Sequence, residues 1–289
     1  MVDKVQELDF SGVQETGLLT LYNKALESQS SDPILKDEMA ESLVARIDPI
    51  LQRKEGKMAE QLRKRATDPR LNVHIALRSR KYDEYALEFL KSHPDGVIIN
   101  IGCGLDTRFF RIDNGCVHFY DLDLPEVIAF KRQLLSETDR YRMIPQSVLD
   151  FSWMDRIDLK GQPALFLAEG VFMYLPEGDV KNLVLTLQKR FPESDLVCEL
   201  TNRTWVEGPW AKLTRMKMQH RLKIGKDAVF QFGVSSPEEL ESWGAGIELK
   251  EMWFYMDEDH PKIGWMRIFR RMKMIRMAQF TVRYTLHKI

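Results

Sequence analysis

The chain has 289 residues, 44% hydrophobic and 29% charged, with a formal net charge of −1, the profile of an ordinary globule with ample core and no basic field to hold nucleic acid. Cys103, Cys116 and Cys198 are too few and too scattered for a disulfide frame or a zinc site, so they read as reduced thiols of a cytoplasmic protein. The opening Met1-Val2-Asp3-Lys4-Val5-Gln6-Glu7 has no apolar leader, and no run approaches a membrane span.

Residues 13–66 carry helical periodicity. Leu18, Leu19, Leu21, Tyr22 and Leu26 form an apolar stripe that Ser31-Asp32-Pro33 breaks, and Leu43, Val44, Ile47 and Ile50 repeat it. The charged run Gln52-Arg53-Lys54-Glu55-Gly56-Lys57 reads as a solvated helix end. Residues 73–91 form a stronger helix, with Ile75, Tyr82, Tyr85, Ala86, Phe89 and Leu90 at helical spacing, and His93-Pro94-Asp95-Gly96 stops it.

The stretch that follows organises the chain. Val97-Ile98-Ile99-Asn100-Ile101 is a buried strand that ends in Gly102-Cys103-Gly104, and His118-Phe119-Tyr120 is a second strand that ends in Asp121-Leu122-Asp123. Glycines let the backbone approach a ligand closely, and an acid at the end of the next strand accepts from ribose hydroxyls. The third glycine of a dinucleotide fingerprint is replaced by Thr107, and Asp106 at the turn repels a pyrophosphate. A zwitterionic, cationic nucleoside such as S-adenosylmethionine suits the turn better than NAD.

Strands and helices then alternate. Pro125 opens a helix through Leu134-Leu135, Tyr141 to Pro145 is a third strand with Ser147-Val148-Leu149-Asp150 as its exit, and Ala164 to Ala168 is a fourth, ending at Glu169. Val180 to Leu187 is a helix and Asp195 to Leu200 a fifth strand. This rhythm predicts right-handed crossovers and a parallel sheet, with the ligand beyond the carboxyl ends of the strands. Residues 201–233 interrupt it with Trp205, Trp210, Leu213, Met216, Met218 and Leu222 in a basic setting, either a packing helix or a lid over an apolar acceptor. Ser236-Pro237-Glu238-Glu239 reads as a capping box for a helix through Trp243, and Ile247–Met256 and Ala278–Leu286 as two late strands. The expected fold is α/β: one Rossmann-like, seven-stranded, mostly parallel domain over 1–289. Residues 1–95 form its helical N-terminal part, 96–200 the cofactor-binding core, 201–233 a helical lid insertion and 234–289 the C-terminal strands and helices.

Five segments carry a resemblance. They are Thr16 to Asp32-Pro33, Arg78-Ser79-Arg80 with Asp83, Asn100 to Arg108, Tyr120 to Pro125, and Ala168-Glu169-Gly170-Val171-Phe172-Met173-Tyr174. On these the chain resembles the leucine carboxyl methyltransferase family, on the branch of tetracenomycin-type polyketide O-methyltransferases; residues 201–289 match only loosely. The resemblance implies that Lys24 and Arg78 neutralise the methionine carboxylate of S-adenosylmethionine and that Gly102 and Gly104 floor the methionine moiety. It implies further that Asp123 binds the ribose and that Glu169 lies beneath the sulfonium and amino group. Asp121 shares the strand end and is expected to face away from the ligand, which leaves Asp123 as the better ribose acid. Ser147 and Val148 match an adenine-contacting pair. The family's other branch has an acid where this chain has Ser147, which leaves Asp150 as the alternative carboxylate.

Methyl transfer from a sulfonium needs chiefly alignment of acceptor, methyl and sulfur. A carboxylate acceptor needs no base, whereas a phenol, near pKa ~10, benefits from one. Tyr174, near the acceptor in the family pattern, and His220, in the lid segment, are the catalytic candidates; His74, His93, His118, His260 and His287 read as structural. The expected function is therefore S-adenosylmethionine-dependent O-methylation of a small hydroxyl or carboxyl acceptor, polyketide-like, yielding S-adenosylhomocysteine. No metal, nucleic acid or membrane is involved in that reading. A protein C-terminal carboxyl methyltransferase and a non-catalytic cofactor binder are the alternatives.

Overall fold

A computed structural model describes residues 12–52, 57–65, 68–207 and 230–289. Its centre is β1 (Val97–Ile101), buried at every position, as a strand covered on both faces must be. β1 pairs in parallel with β2 (His118–Asp123) on one side and with β4 (Ala164–Ala168) on the other. β3 (Tyr141–Pro145) and β5 (Ser194–Thr201) extend the sheet outward, also in parallel. β7 (Gln279–Leu286) enters antiparallel between β5 and the edge strand β6 (Ile247–Phe254). The seven-stranded order is β3-β2-β1-β4-β5-β7-β6. The chain runs outward from β1 through β2 and β3, then crosses to β4. This reversal opens a crevice at the carboxyl ends of β1 and β4, where open α/β sheets bind ligands.

Period two splits the strands between two cores. Ile98, Leu165, Leu167 and Val197 pack under the helices α1 (Gly12–Ser28), α2 (Glu38–Leu51), α4 (Pro69–Ser92) and α6 (Pro125–Leu134), with the short α3 (Lys57–Arg63) beside them. Val97, Ile99, Ile101, Phe166 and Leu196 face the other way, toward α7 (Glu177–Arg190) and the buried Trp153. A third apolar cluster joins Ile34, Leu35, Val73 and Leu77 to Trp253, Tyr255 and Ile263.

The N-terminal helices are bolted onto the glycine turn. A Cβ on Gly17 of α1 would lie 3.5 Å from the Leu105 side chain and 4.0 Å from Gly104 Cα. Thr107, in the third glycine's place, is buried at the start of α5 (Arg108–Ile112) and donates its hydroxyl to Asp37, the N-cap of α2, at 2.6 Å. A side chain is needed there, which is why glycine is absent.

One local expectation is corrected. Pro237–Trp243 is a 3-10 helix, and the Ser236 side chain makes no capping hydrogen bond. Glu239 instead accepts from the Ser235 N–H at 2.7 Å and pairs with Arg203, so the box is half formed and displaced by one residue. Residues 53–56 and most of the lid segment, including Trp210, Leu213, Met216, Met218, His220 and Leu222, lie outside the described residues. Its two ends are described: Trp205 donates its indole N–H to the Met274 carbonyl at 3.2 Å, and the Phe230 ring packs edge-on to Tyr174 at 5.5 Å. No helix among the described residues is long and apolar enough to cross a membrane.

Candidate active site

Gly102 and Gly104 both adopt positive φ, +63° and +49°. A Cβ on Gly102 would meet Val171 at 2.5 Å, whereas one on Gly104 would enter nearly open space, 3.9 Å from Gly17. The turn is therefore pressed onto Val171 on one side and bare on the other. Asp123, at the end of β2, accepts from the Gly104 and Leu124 N–H groups at 2.7 Å each. Burial nevertheless raises its carboxyl above the ordinary range, those bonds and Lys131 opposing. A ligand hydroxyl would relieve that carboxylate.

Asp121 is not on the opposite face of β2 from Asp123: residues two apart on a strand share a face, and burial, not facing, separates the two acids. Asp121 is 1% exposed, pairs with Lys131 and accepts from the Tyr141 hydroxyl and the Asn100 amide. Its role in this arrangement is internal, and Asp123 is the acid of the pair that adjoins the turn.

Asp106 does not stand free, contrary to the simple view of an acid facing a ligand. Lys24 and Arg108 each pair with it at 2.7 Å, Arg111 lies at 3.6 Å, and Asn100 donates to it at 3.3 Å. Burial works to raise its pKa, and Arg108, Lys24 and Arg111 together hold it well below the ordinary carboxylate range. Lys24, expected with Arg78 at the cofactor carboxylate, is thus paired with Asp106.

Arg78 lies on α4 with its Nε donating to Glu169 at 2.9 Å and its Nη1 to Glu199 at 3.0 Å. Glu169 also accepts from the Ser79 hydroxyl and from Arg108. Burial pushes Glu169 upward, but Arg78 and Arg108 override it and hold the carboxyl at about 2. Glu199, with burial dominant over Arg78, is raised. Tyr174 is raised to about 12 by burial and by Glu199, so its hydroxyl keeps its proton at neutral pH. One turn before Arg78 on α4, His74 packs edge-on to Tyr255 at 4.6 Å and is lowered to about 3 by burial and Arg78, which makes it neutral.

The exit of β3 is occupied with its own turns. Ser147 Oγ accepts from Leu149 N–H at 3.3 Å, the Val148 carbonyl from the Trp153 indole at 3.0 Å, and Asp150 caps Ser152 at 3.2 Å. Sequence reasoning gave no site role to Asn100, Arg108 or Glu199. Glu199 carried a usable signal, since it ends the apolar run Leu196-Val197-Cys198 as Glu169 ends the strand before it. Among the described residues, Asp37, Asp83, Asp106, Asp121, Asp123, Glu169 and Glu199 outnumber Lys24, Arg78, Arg108, Arg111 and Lys131 in this network. Of these acids Asp123, beside the bare turn, is placed to accept from the ribose hydroxyls of a ligand.

Comparison with known proteins agrees with the geometry. The chain is 32% identical over 287 residues to the tetracenomycin polyketide synthesis O-methyltransferase TcmP of Streptomyces glaucescens, covering 97% of this chain and 99% of that one. It is 25% identical over 268 residues to the S-adenosyl-L-methionine-dependent methyltransferase dpfgK of Gibberella zeae, covering 89% and 87%. A DUF574 family protein from Streptomyces avermitilis shares the fold across 99% of both chains, with a TM-score of 0.57 and 15% identity. A protein from Thermobifida fusca with a provisional methyltransferase assignment does so over 85% and 94%, with a TM-score of 0.55 and 18% identity. The family model for leucine carboxyl methyltransferase matches residues 17–188, and the chain belongs to that family.

Proposed function

We propose that this protein moves the methyl group of S-adenosylmethionine to an oxygen of a small, largely apolar hydroxyl or carboxyl compound of polyketide-like character, in the cytoplasm. The single observation that carries the reading is the bare glycine turn at Gly104 with the Asp123 carboxylate beside it at the end of β2, an arrangement that suits the ribose of a nucleoside. Likeness over nearly the whole chain to an enzyme named for O-methylation in polyketide synthesis supports the acceptor class. It favours a small molecule over a protein C-terminus.

When bound, the cofactor supplies a methyl group on a sulfonium. Asp123 would accept from the ribose hydroxyls, and the turn at Gly102 and Gly104 would lie under the methionine portion. Arg78, with Lys24 behind Asp106, would face the cofactor carboxylate, while Glu169 would sit beneath the positive end. Ser147, Val148 and Asp150 would border the adenine, Asp121 bracing the strand beneath. Tyr174, holding its proton, would donate a hydrogen bond to the acceptor oxygen rather than take a proton from it. His220 lies outside the described residues and stands as the candidate base for a phenolic acceptor. The domain boundaries read from the sequence, a single unit over 1–289 with a lid at 201–233, belong to this proposal.

The test is a thermal shift with S-adenosylmethionine, S-adenosylhomocysteine and NAD, each in large excess. A ligand at about 100 times its dissociation constant adds about 2.7 kcal/mol, several degrees in a chain of this size. Shifts with the sulfur nucleosides alone support the reading, and a shift with NAD alone overturns it.

A further inference from the structure

The reading of Arg78 as the partner of the cofactor carboxylate leaves one buried group unexplained. Glu199 is 2% exposed, lies at the end of β5 and has no role in the family pattern read from the sequence. If Arg78 needed only a counter-ion, Glu169 would suffice. A second buried carboxylate carries a desolvation cost that one shared cation offsets only in part.

The geometry accounts for it. Glu169 takes Nε of Arg78 at 2.9 Å, and Glu199 takes Nη1 with both oxygens, at 3.0 and 3.4 Å. The third nitrogen, Nη2, makes no hydrogen bond to any described residue. Nη1 and Nη2 both lie along the backbone of Gly170, where an added Cβ would sit in contact at 3.4 Å from Glu199 Oε2, 3.6 Å from Arg78 Nη1 and 3.7 Å from Nη2. Gly170 has φ +70° at the carboxyl end of β4, beside the crevice. A long arginine side chain has many rotamers, and a guanidinium presents its donors in a rigid plane. Gripping two of its edges fixes the direction of the third.

We infer that Glu199 is a positioning residue: together with Glu169 it clamps Arg78 so that Nη2 is the edge offered to the carboxylate at the amino-acid end of the cofactor. The inference rests on the proposed function, because only a ligand with that carboxylate uses the offered edge. The clamp acts on one end of the ligand and leaves the nucleoside end to Asp123 and the glycine turn.

The experiment is calorimetric titration of the full chain with S-adenosylhomocysteine and, separately, with 5′-methylthioadenosine, which keeps the nucleoside and sulfur but lacks the amino-acid end. Glu199→Ala is expected to weaken S-adenosylhomocysteine about tenfold, the scale of losing an oriented charge-assisted contact, and to leave methylthioadenosine unchanged. Glu199→Gln, which keeps the shape and one oxygen for Nη1, is expected to show the same selectivity with a smaller loss. It serves as the variant of record should the alanine form fail to fold. Unchanged or tighter S-adenosylhomocysteine binding in the glutamine variant overturns the inference. Equal loss of both ligands also overturns it, because Glu199 would then merely support the site as a whole. If the unsubstituted protein binds neither nucleoside, it is the cofactor reading that fails, and the clamp with it.

Discussion

Arg108 is the side chain whose removal tests the electrostatic argument most directly. It is 1% exposed and donates Nε to Asp83 and Nη1 to Asp106, each at 2.7 Å, while Nη2 reaches Glu169. Arg108→Met keeps the length and removes the charge, leaving buried carboxylates short of a partner. Breaking one buried pair costs about 3–5 kcal/mol. Glu169 gives a second route to the magnitude: a carboxyl held at about 2 rather than 4.5 stabilises the fold by about 3 kcal/mol at neutral pH, and Arg108 supplies a share of that beside Arg78. The sign follows from the depressed pKa: the contribution is fully present above pH 4.5 and disappears as pH falls toward 2. Urea unfolding at pH 7 should therefore show a deficit of about 4 kcal/mol, with a melting temperature lower by roughly 10 °C. The deficit should narrow as pH drops below about 4.5, where the unfolded chain takes up its protons. Arg108→Lys should recover only part, since an ammonium cannot reach three carboxylates as a fork does. A deficit below about 1 kcal/mol at pH 7, or one that stays constant with pH, would refute the reasoning.

The paired acids of β2 should separate cleanly. Asp123→Asn is expected to weaken S-adenosylhomocysteine binding by about 1–3 kcal/mol by calorimetry. Asp121→Asn should instead lower stability by about 3 kcal/mol, because Lys131 loses its buried partner, with affinity nearly retained; the reverse pattern would exchange their roles. Gly102→Ala should cost about 1–2 kcal/mol for its left-handed backbone plus the clash with Val171. Adding Val171→Ala should recover only the clash, read from urea midpoints. Trp205→Ala should alter which acceptors are methylated while leaving S-adenosylhomocysteine affinity unchanged, and the opposite result would remove this end of the 201–233 segment from the acceptor side.

Much of the fold was legible because its signals are local. Short apolar runs at Val97–Ile101 and Ala164–Ala168, each bounded by turn signals, read as strands buried on both faces, and Asp32-Pro33 and His93-Pro94 mark helix ends, although Asp48-Pro49 lies inside α2. The glycine turn and Asp123 were visible through spacing, whereas period two misplaced Asp121: it shares Asp123's face and differs by being buried against Lys131 and Tyr141. The ion network was not legible, since it is made by residues far apart in sequence: Arg78 meets Glu199 across 121 positions and Lys24 meets Asp106 across 82. Asp106 shows the difference. Alone it reads as an acid facing a ligand, and only the packing of α1 against the turn shows that Lys24 and Arg108 already hold it. The capping box at Ser236 failed for a related reason: Glu239 had Arg203 and the Ser235 N–H within reach, neither visible in the local pattern.

The position of β7 has a consequence for how the chain reaches its native state. The seventh strand of the sheet in chain order is an inner one, with Val282, Tyr284 and Leu286 fully buried and eight residues in register with β5. Until residues 279–286 are synthesised, β5 has an open edge and β6 has no neighbour in the sheet. Pairing them closes loops of long sequence separation, which is slow. A ribosome that stops short of this strand releases a chain with an apolar seam and unpaired backbone along β5, the kind of surface that chaperones and proteases capture. The topology therefore makes β7 the keystone of the sheet: until it pairs, β5 keeps an open edge and β6 stays outside the sheet.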